Sequence, residues 1–337
     1  MSRVVFLMDK IMRKFGLSGK SIVPLISGTA CAIPAIMATR NIENWKERLI
    51  TILVTPFTTC SARLPVYAII IALVIPDERV FGIINMQGLT LMLLYLLGFG
   101  MAIFSAYILN TILKIKGKTY FVVEMPNYKL PMFKNVAINV IEKTKAFIFG
   151  AGKIILAISI VLWFLASYGP GDKFRNAEKI VLEKNLEKPL NTAELQNAIA
   201  SQKLENSYIG LMGKTIEPVI SPLGYDWKIG VAIISSFAAR EVFVGTLATI
   251  YSVGDSDNDN TIKNKMQAEI NPETGQKIFN FASGISLLLF YAFAMQCAST
   301  IAITKKETNS WKWPLGQLIF MSGLAYVVAL IAFQILK

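Results

Sequence analysis

Apolar residues come along this chain in runs that differ in length and in how they are interrupted. Residues 3 to 15 place Phe6, Leu7, Met8, Ile11, Met12 and Phe15 at helical spacing, with Arg3, Lys10, Arg13 and Lys14 between them. That spacing predicts an amphipathic helix lying in a membrane interface over 1–17. Leu89 to Leu113 and Ala146 to Tyr168 are uninterrupted and near the roughly 20 residues that cross hydrocarbon, so both read as ordinary spans. Lys153 lies near one end of the second, where its side chain can snorkel. Pro314 to Leu336 is a last span. The remaining apolar stretches are broken. Ser18 to Arg40 is interrupted at Gly28 and Pro34, Leu49 to Pro76 at Cys60-Ser61-Ala62-Arg63-Leu64-Pro65, and Ile216 to Val253 at Arg240-Glu241, while Phe281 to Ile303 carries Cys297.

Two polar stretches separate these runs. Gly169 to Lys214 mixes seven basic with six acidic residues and reads as short helices in water on the outer, periplasmic face. Gly254 to Asn280 contains Asp255-Ser256-Asp257-Asn258-Asp259-Asn260, without the Gly and Glu that an EF-hand needs. The pattern predicts an all-α polytopic membrane helix bundle with two repeats that contain broken or re-entrant helices. Its parts are the interfacial helix (1–17), a first repeat (18–76), connecting helices with a basic loop (77–168), a periplasmic helical insert (169–215), a second repeat (216–304) and a C-terminal membrane helix (305–337).

Composition agrees with a bilayer. Of 337 residues 54% are apolar and only 17% charged, with a net charge of +12. The basic excess does not point to nucleic acid, because Lys114, Lys116, Lys118, Lys129, Lys134, Lys143 and Lys145 crowd one loop between two spans, as cytoplasmic loops do. Counting outward from that loop puts 77–88 outside and 40–48 inside. Residues 18 to 40 then enter and leave by the inner face as a re-entrant hairpin. Asp9, Lys10, Arg13 and Lys14 interrupt any signal-peptide core.

The chemistry available is limited. There is no histidine, and the three cysteines, Cys31, Cys60 and Cys297, form neither a disulfide framework nor a closed zinc site. Each lies at a break. Thr59-Cys60-Ser61-Ala62 answers Gln296-Cys297-Ala298-Ser299, and 34–39 loosely answers 242–247, which suggests an internal repeat. Broken backbone at membrane depth survives only in protein or beside a wet cavity, so paired breaks point to a pathway. Thiolates are soft ligands suited to iron, zinc or copper, whereas an isolated membrane cysteine otherwise acts as a small hydrophobe. Glu241 reads either as an oxygen ligand for a divalent cation or as half of an ion pair, with Arg240 and Arg63 as the other membrane-depth charges. Gly16 to Ser21 imitates a P-loop but lacks its first Gly and a preceding strand.

Residues 28–40, 60–67 and 239–247 resemble the Gate motifs of FeoB-type ferrous iron transporters, and the similarity runs over nearly the whole chain. The resemblance implies a Fe(II) importer of the bacterial inner membrane, not an enzyme, that binds no permanent cofactor and carries Fe(II) as its substrate. It further implies that Cys31, Cys60 and Cys297 are pore-associated; Glu241 is the remaining metal-pathway candidate, and Gly28, Pro34, Arg63, Pro65, Arg240 and Gly245 are candidates for shaping the pathway or pairing ions. Ala32 stands where many members have Asn, which removes a ligand there. The family's GTPase domain, helical spacer and first membrane helices do not precede Met1, so GTP would act only through that missing domain. The chain is thus expected to be the C-terminal part of a membrane domain, whether a fragment, a truncated product or half of a split system. Expected partners are membrane lipid, a separate GTPase domain or N-terminal half, a small FeoA-type cytosolic protein and a second copy of the chain. Readings that stay open are transport of another divalent metal or a small nucleoside-like solute, an inactive fragment, and a membrane thiol oxidoreductase.

Overall fold

A computed structural model of the chain describes residues 2–80, 84–113, 132–170, 172–185, 192–250, 266, 277–295 and 297–337. Lys114, Lys116, Lys118 and Lys129 of the basic loop, the acidic run at 255–260 and Gln296 lie outside the described residues. The helices, in chain order, are α1 (Ser2–Met12), α2 (Ile22–Gly28), α3 (Ala32–Ala38), α4 (Trp45–Val54), α5 (Leu64–Val74), α6 (Met86–Ile112), α7 (Phe133–Phe147), α8 (Lys153–Ser167), α9 (Asp172–Arg175), α10 (Ala177–Asn185), α11 (Thr192–Glu205), α12 (Tyr208–Ile220), α13 (Trp227–Ser235), α14 (Val242–Ile250), α15 (Phe281–Phe293), α16 (Ala298–Thr308) and α17 (Lys312–Leu336). One short antiparallel pair interrupts the all-α pattern, with Arg79 opposite Asn85. Four helical stretches are long and apolar enough to cross a membrane: 45–74, 86–112, 281–308 and 312–336. The first and third are the broken ones: the breaks fall between α4 and α5 and between α15 and α16.

The chain forms two compact units, and it changes unit inside each broken span, after Ser61 and after Cys297. The first unit comprises 1–61, 93–156 and 298–321. Its α2–α3 hairpin packs with α4 and with the half-helix α16. Ile33, Ile36, Ile52 and Ile303 form the apolar centre of this packing, with Cys31 and Met37 against it. The second unit comprises 62–92, 157–297 and 322–337. Here the α13–α14 hairpin packs on α12, and the half-helix α5 packs on α14 and α15. A Cβ on Gly284 of α15 would stand 2.2 Å from Val74 Cγ2, so glycine is what lets α15 and α5 meet. Each unit therefore holds the hairpin and leading half-span of one repeat together with the trailing half-helix of the other.

The bases of the two hairpins match bond for bond, displaced by 208 residues. Gly16 and Gly224 both adopt the left-handed conformation, φ 74° and 81°, that ends a helix most cheaply when no Cβ is present. Gly16 N–H donates to Arg13 C=O (3.1 Å) and Leu17 N–H to Met12 C=O (3.1 Å), and Gly224 and Tyr225 repeat this to Ser221 (2.9 Å) and Ile220 (3.4 Å). Asp9 Oδ1 then accepts the Gly19 N–H (2.8 Å), and Glu217 Oε1 accepts the Trp227 N–H (3.2 Å). In both repeats a carboxylate on the amphipathic helix satisfies a free N–H at the start of the hairpin, where the helix dipole favours negative charge. The matching bonds of the second hairpin start from α12, whose first residues lie in the stretch that polarity assigns to the insert. The structure gives the P-loop-like Gly16–Ser21 segment this turn-forming role instead, with Lys20 Nζ paired to Glu43 (2.9 Å).

Candidate functional site

In the first unit the break that follows α4 is pressed between two glycines. A Cβ on Gly28 would lie 2.4 Å from Thr58 Oγ1, and one on Gly98 2.8 Å from Thr59 Oγ1 and 3.0 Å from the Phe57 carbonyl. The break turns by satisfying itself: Thr55 Oγ1 donates to the Thr51 carbonyl (2.6 Å) and Thr58 Oγ1 to the Thr55 carbonyl (2.7 Å). Thr59 Oγ1 is buried with no hydrogen-bond partner among the described residues. Ser61 Oγ then donates to the Ala30 carbonyl (2.8 Å) and ties this break to the hairpin tip. The bond joins the neighbour of Cys60 to the neighbour of Cys31. Cys31 is extended, with φ −158° and ψ 134°, and immediately precedes α3, whose first turn carries the exposed Pro34. Both thiols are half-buried and free of disulfides.

The second unit has the same kind of tie, made by a different group. Its hairpin tip, 236–241, ends on Arg240 and Glu241 before α14 begins at Val242. Arg240 is buried at 6% exposure and Nη2 donates to the Ala294 carbonyl (3.1 Å), where α15 stops three residues before Cys297. Arg240 Nη1 is buried without an acceptor among the described residues. Glu241 is exposed and makes no ion pair among the described residues, so the Arg240–Glu241 pairing weighed from sequence is not what holds this tip. Arg63 is fully buried at the start of α5. Pro65 sits in the first turn of α5, where a missing N–H costs nothing. Gly245 permits no close approach, because nothing lies within 4 Å of the Cβ it lacks; with Val242, Thr246 and Thr249 it lines a groove of about 570 Å³.

Cys31 and Cys60 thus share one tied pair of breaks in the first unit, and Glu241 and Cys297 flank the other in the second. Among the described residues no three Cys, Asp or Glu side chains converge into a ready-made metal cluster. The first pair of breaks thus carries two cysteines and the second one, each beside helix-end backbone groups.

A family model described as Gate, nucleoside recognition, matches residues 1–74 and 148–311, which include both hairpins and both broken spans. A second, described as ferrous iron transport protein B C terminus, matches 91–143. The chain belongs to the Gate family. Among curated relatives of this Gate chain, the Fe(2+) transporter FeoB of Leptospira interrogans serovar Lai is 45% identical over 334 residues, covering 99% of this chain and 45% of the relative. The Fe(2+) transporter FeoB of Helicobacter pylori strain J99 is 34% identical over 99% of this chain and 51% of its own length. A Porphyromonas gingivalis protein named an Fe(2+) transport protein A/Fe(2+) transporter FeoB fusion is 36% identical, over 99% of this chain and 40% of the fusion. The chain spans about half the length of the curated relatives it matches. No solved structure matches it. It is a membrane protein.

One charged cluster in the first unit has no counterpart in the reading from sequence. Glu307, at the end of α16, has a side chain only 3% exposed and is held by Arg40 and Arg48. The hydrogen bonds to this carboxylate hold the Arg40 guanidinium above its ordinary pKa, against the opposing effect of burial. Partners 267 residues apart leave no local signal, and 304–307 reads in sequence as the polar end of a span.

Proposed function

We propose that this chain is the permeation part of a ferrous iron uptake transporter in the bacterial inner membrane, crossing it several times. The observation that carries the reading is the pair of tied breaks, each bordered by a cysteine outside any disulfide, in a chain whose relatives are named Fe(2+) transporters. Fe(II) enters from the periplasmic side, exchanges water for thiol and backbone oxygen ligands at the breaks, and leaves inward. The dispersed ligands favour this role, because a conducted ion must be bound strongly enough to enter and weakly enough to leave. Cys31, Cys60 and Cys297 are the ligand residues and Glu241 the pathway carboxylate. No covalent chemistry occurs on the ion, so the chain acts as a transporter rather than an enzyme. GTP acts through a separate domain, and the name of the Porphyromonas fusion supports a FeoA-type protein as partner.

The test is anaerobic Fe(II) uptake into liposomes holding the purified chain. Cys31→Ser/Cys60→Ser/Cys297→Ser should lower uptake at least about tenfold, the effect of ~1.4 kcal/mol of lost coordination, with the protein still folded and inserted. Uptake that is equal with and without the thiols would overturn the ligand assignment. Glu241→Gln should lower flux by a smaller factor without loss of the folded protein.

A further inference from the structure

The half-helix α16 buries a polar stripe. Ser299, Thr300, Thr304, Glu307 and Thr308 are all buried, and only Ile303 of this helix joins the apolar centre of the first unit. Ser299 Oγ and Thr304 Oγ1 have no hydrogen-bond partner among the described residues. Buried hydroxyls of this kind call for water or a passing ligand. The stripe starts beside Cys297 and ends on a carboxylate. Glu307 stands in the last turn, where the helix dipole and burial both oppose a negative charge, so its ionised form depends on its partners. They come from the end of the hairpin and the start of α4. Arg40 Nε donates to both carboxylate oxygens at 3.0 Å and Nη2 to Oε1 at 2.5 Å, while Arg48 Nη2 donates to Oε2 at 2.8 Å. Arg48 Nε is buried without an acceptor among the described residues. Two guanidiniums against one carboxylate leave a net positive charge, and the charge rule that puts 40–48 on the inner face puts this cluster there too.

We propose that Arg40, Arg48 and Glu307 form the inner gate of the ion route along α16, the carboxylate holding two guanidiniums across the path of a divalent cation. The proposal rests on the transport reading. In the closed state the excess positive charge of the two guanidiniums repels the cation. Opening requires Glu307 to release a guanidinium, which a small displacement of α16 against the hairpin achieves. The buried Glu307 carboxylate is strongly destabilised when it loses its guanidiniums, which favours two discrete states over a graded one.

The native thiols provide a readout that needs no iron. In inside-out vesicles, a membrane-impermeant maleimide should reach the cysteines of the wild-type chain slowly from the inner face. Arg40→Gln/Arg48→Gln should raise that labelling at least about tenfold, as a shift toward an open population requires. Arg40→Glu/Glu307→Arg, which keeps the same charges in exchanged places, should return labelling toward the wild-type rate. Where the double glutamine variant fails to fold, Arg48→Lys keeps the charge, loses the guanidinium geometry and should give a smaller rise. Wild-type labelling in a folded variant of either kind overturns the gate. If uptake depends on the thiols while labelling never changes, the gate fails and the transport reading stands. If labelling responds but Fe(II) is not taken up, the transport reading fails and the gate stands for another solute.

Discussion

The hairpins α2–α3 and α13–α14 share a base and differ at the tip. At the base, Asp9 and Glu217 accept the N–H of Gly19 and Trp227, and Gly16 and Gly224 end the preceding helix in the same left-handed turn. At the tip, residues 29–31 link α2 to α3, whereas 236–241 link α13 to α14. The extra length carries Arg240 and Glu241. The tie to the neighbouring break also reverses direction: Ser61 of the broken span donates to the first tip, while Arg240 of the second tip donates to its broken span. A base that repeats to the hydrogen bond specifies how a hairpin enters the fold. The tips diverge in chemistry, with a thiol at one and a guanidinium and a carboxylate at the other.

The largest expected effect separates the two hairpins at equivalent positions. Gly28 and Ser236 lie 208 residues apart, but Gly28 is pressed by Thr58, whereas Ser236 has a side chain that bonds its own helix at the Ile233 carbonyl (2.6 Å). Gly28→Ala should cost about 1–3 kcal/mol through overpacking. Ser236→Ala should cost less than about 1.5 kcal/mol, the loss of one ordinary hydrogen bond. Thermal unfolding of the two variants in the same detergent measures the difference, and equal losses would remove the steric account of Gly28.

Much of the broken architecture was legible because glycine, proline and small polar residues interrupt apolar runs where the helices stop. Gly28, Pro34 and the stretch from Cys60 to Pro65 mark the hairpin tip and the first broken span, and Cys297 marks the second. The matched base also had a signal: Asp9, Gly16 and Lys20 recur with the same spacing as Glu217, Gly224 and Lys228. The cysteines carry no trace of it, because none lies near either base. The exchange of half-helices between units and the Glu307 cluster were not legible. Both depend on which distant faces pack together, and the periodicity of a single helix carries no information about its partner. At the site, the breaks were legible and their ties were not, because Ser61 and Arg240 bond to carbonyls, which look alike at every position.

The two base carboxylates should have intermediate effects of unequal size. Asp9→Ala and Glu217→Ala each free an N–H at a hairpin start, a loss of about 1 kcal/mol. Asp9 should matter more, because its bond is shorter (2.8 against 3.2 Å) and its removal also leaves Arg13, now paired to it at 2.6 Å, without its carboxylate. Equal or negligible losses in thermal unfolding would mean that the shared base is held by its turns alone.

The smallest effect tests the reversed ties. Ser61→Ala removes a neutral, exposed hydrogen bond and should destabilise by about 0.5 kcal/mol, the low end for one such bond. Arg240→Met also removes one bond, yet it replaces a buried cation, one of whose nitrogens has no acceptor among the described residues, with an apolar chain of similar reach. Exchange of a buried charge for a packed apolar group is often neutral or stabilising, so the fold should lose nothing measurable and stability should stay within about 1 kcal/mol. Ion flux should nonetheless fall in Arg240→Met, because the carbonyl of Ala294 is no longer held beside Cys297. A stability loss larger than that of Ser61→Ala, with flux unchanged, would make Arg240 a structural tie like Ser61 and leave Glu241 as the only chemical distinction of the second tip.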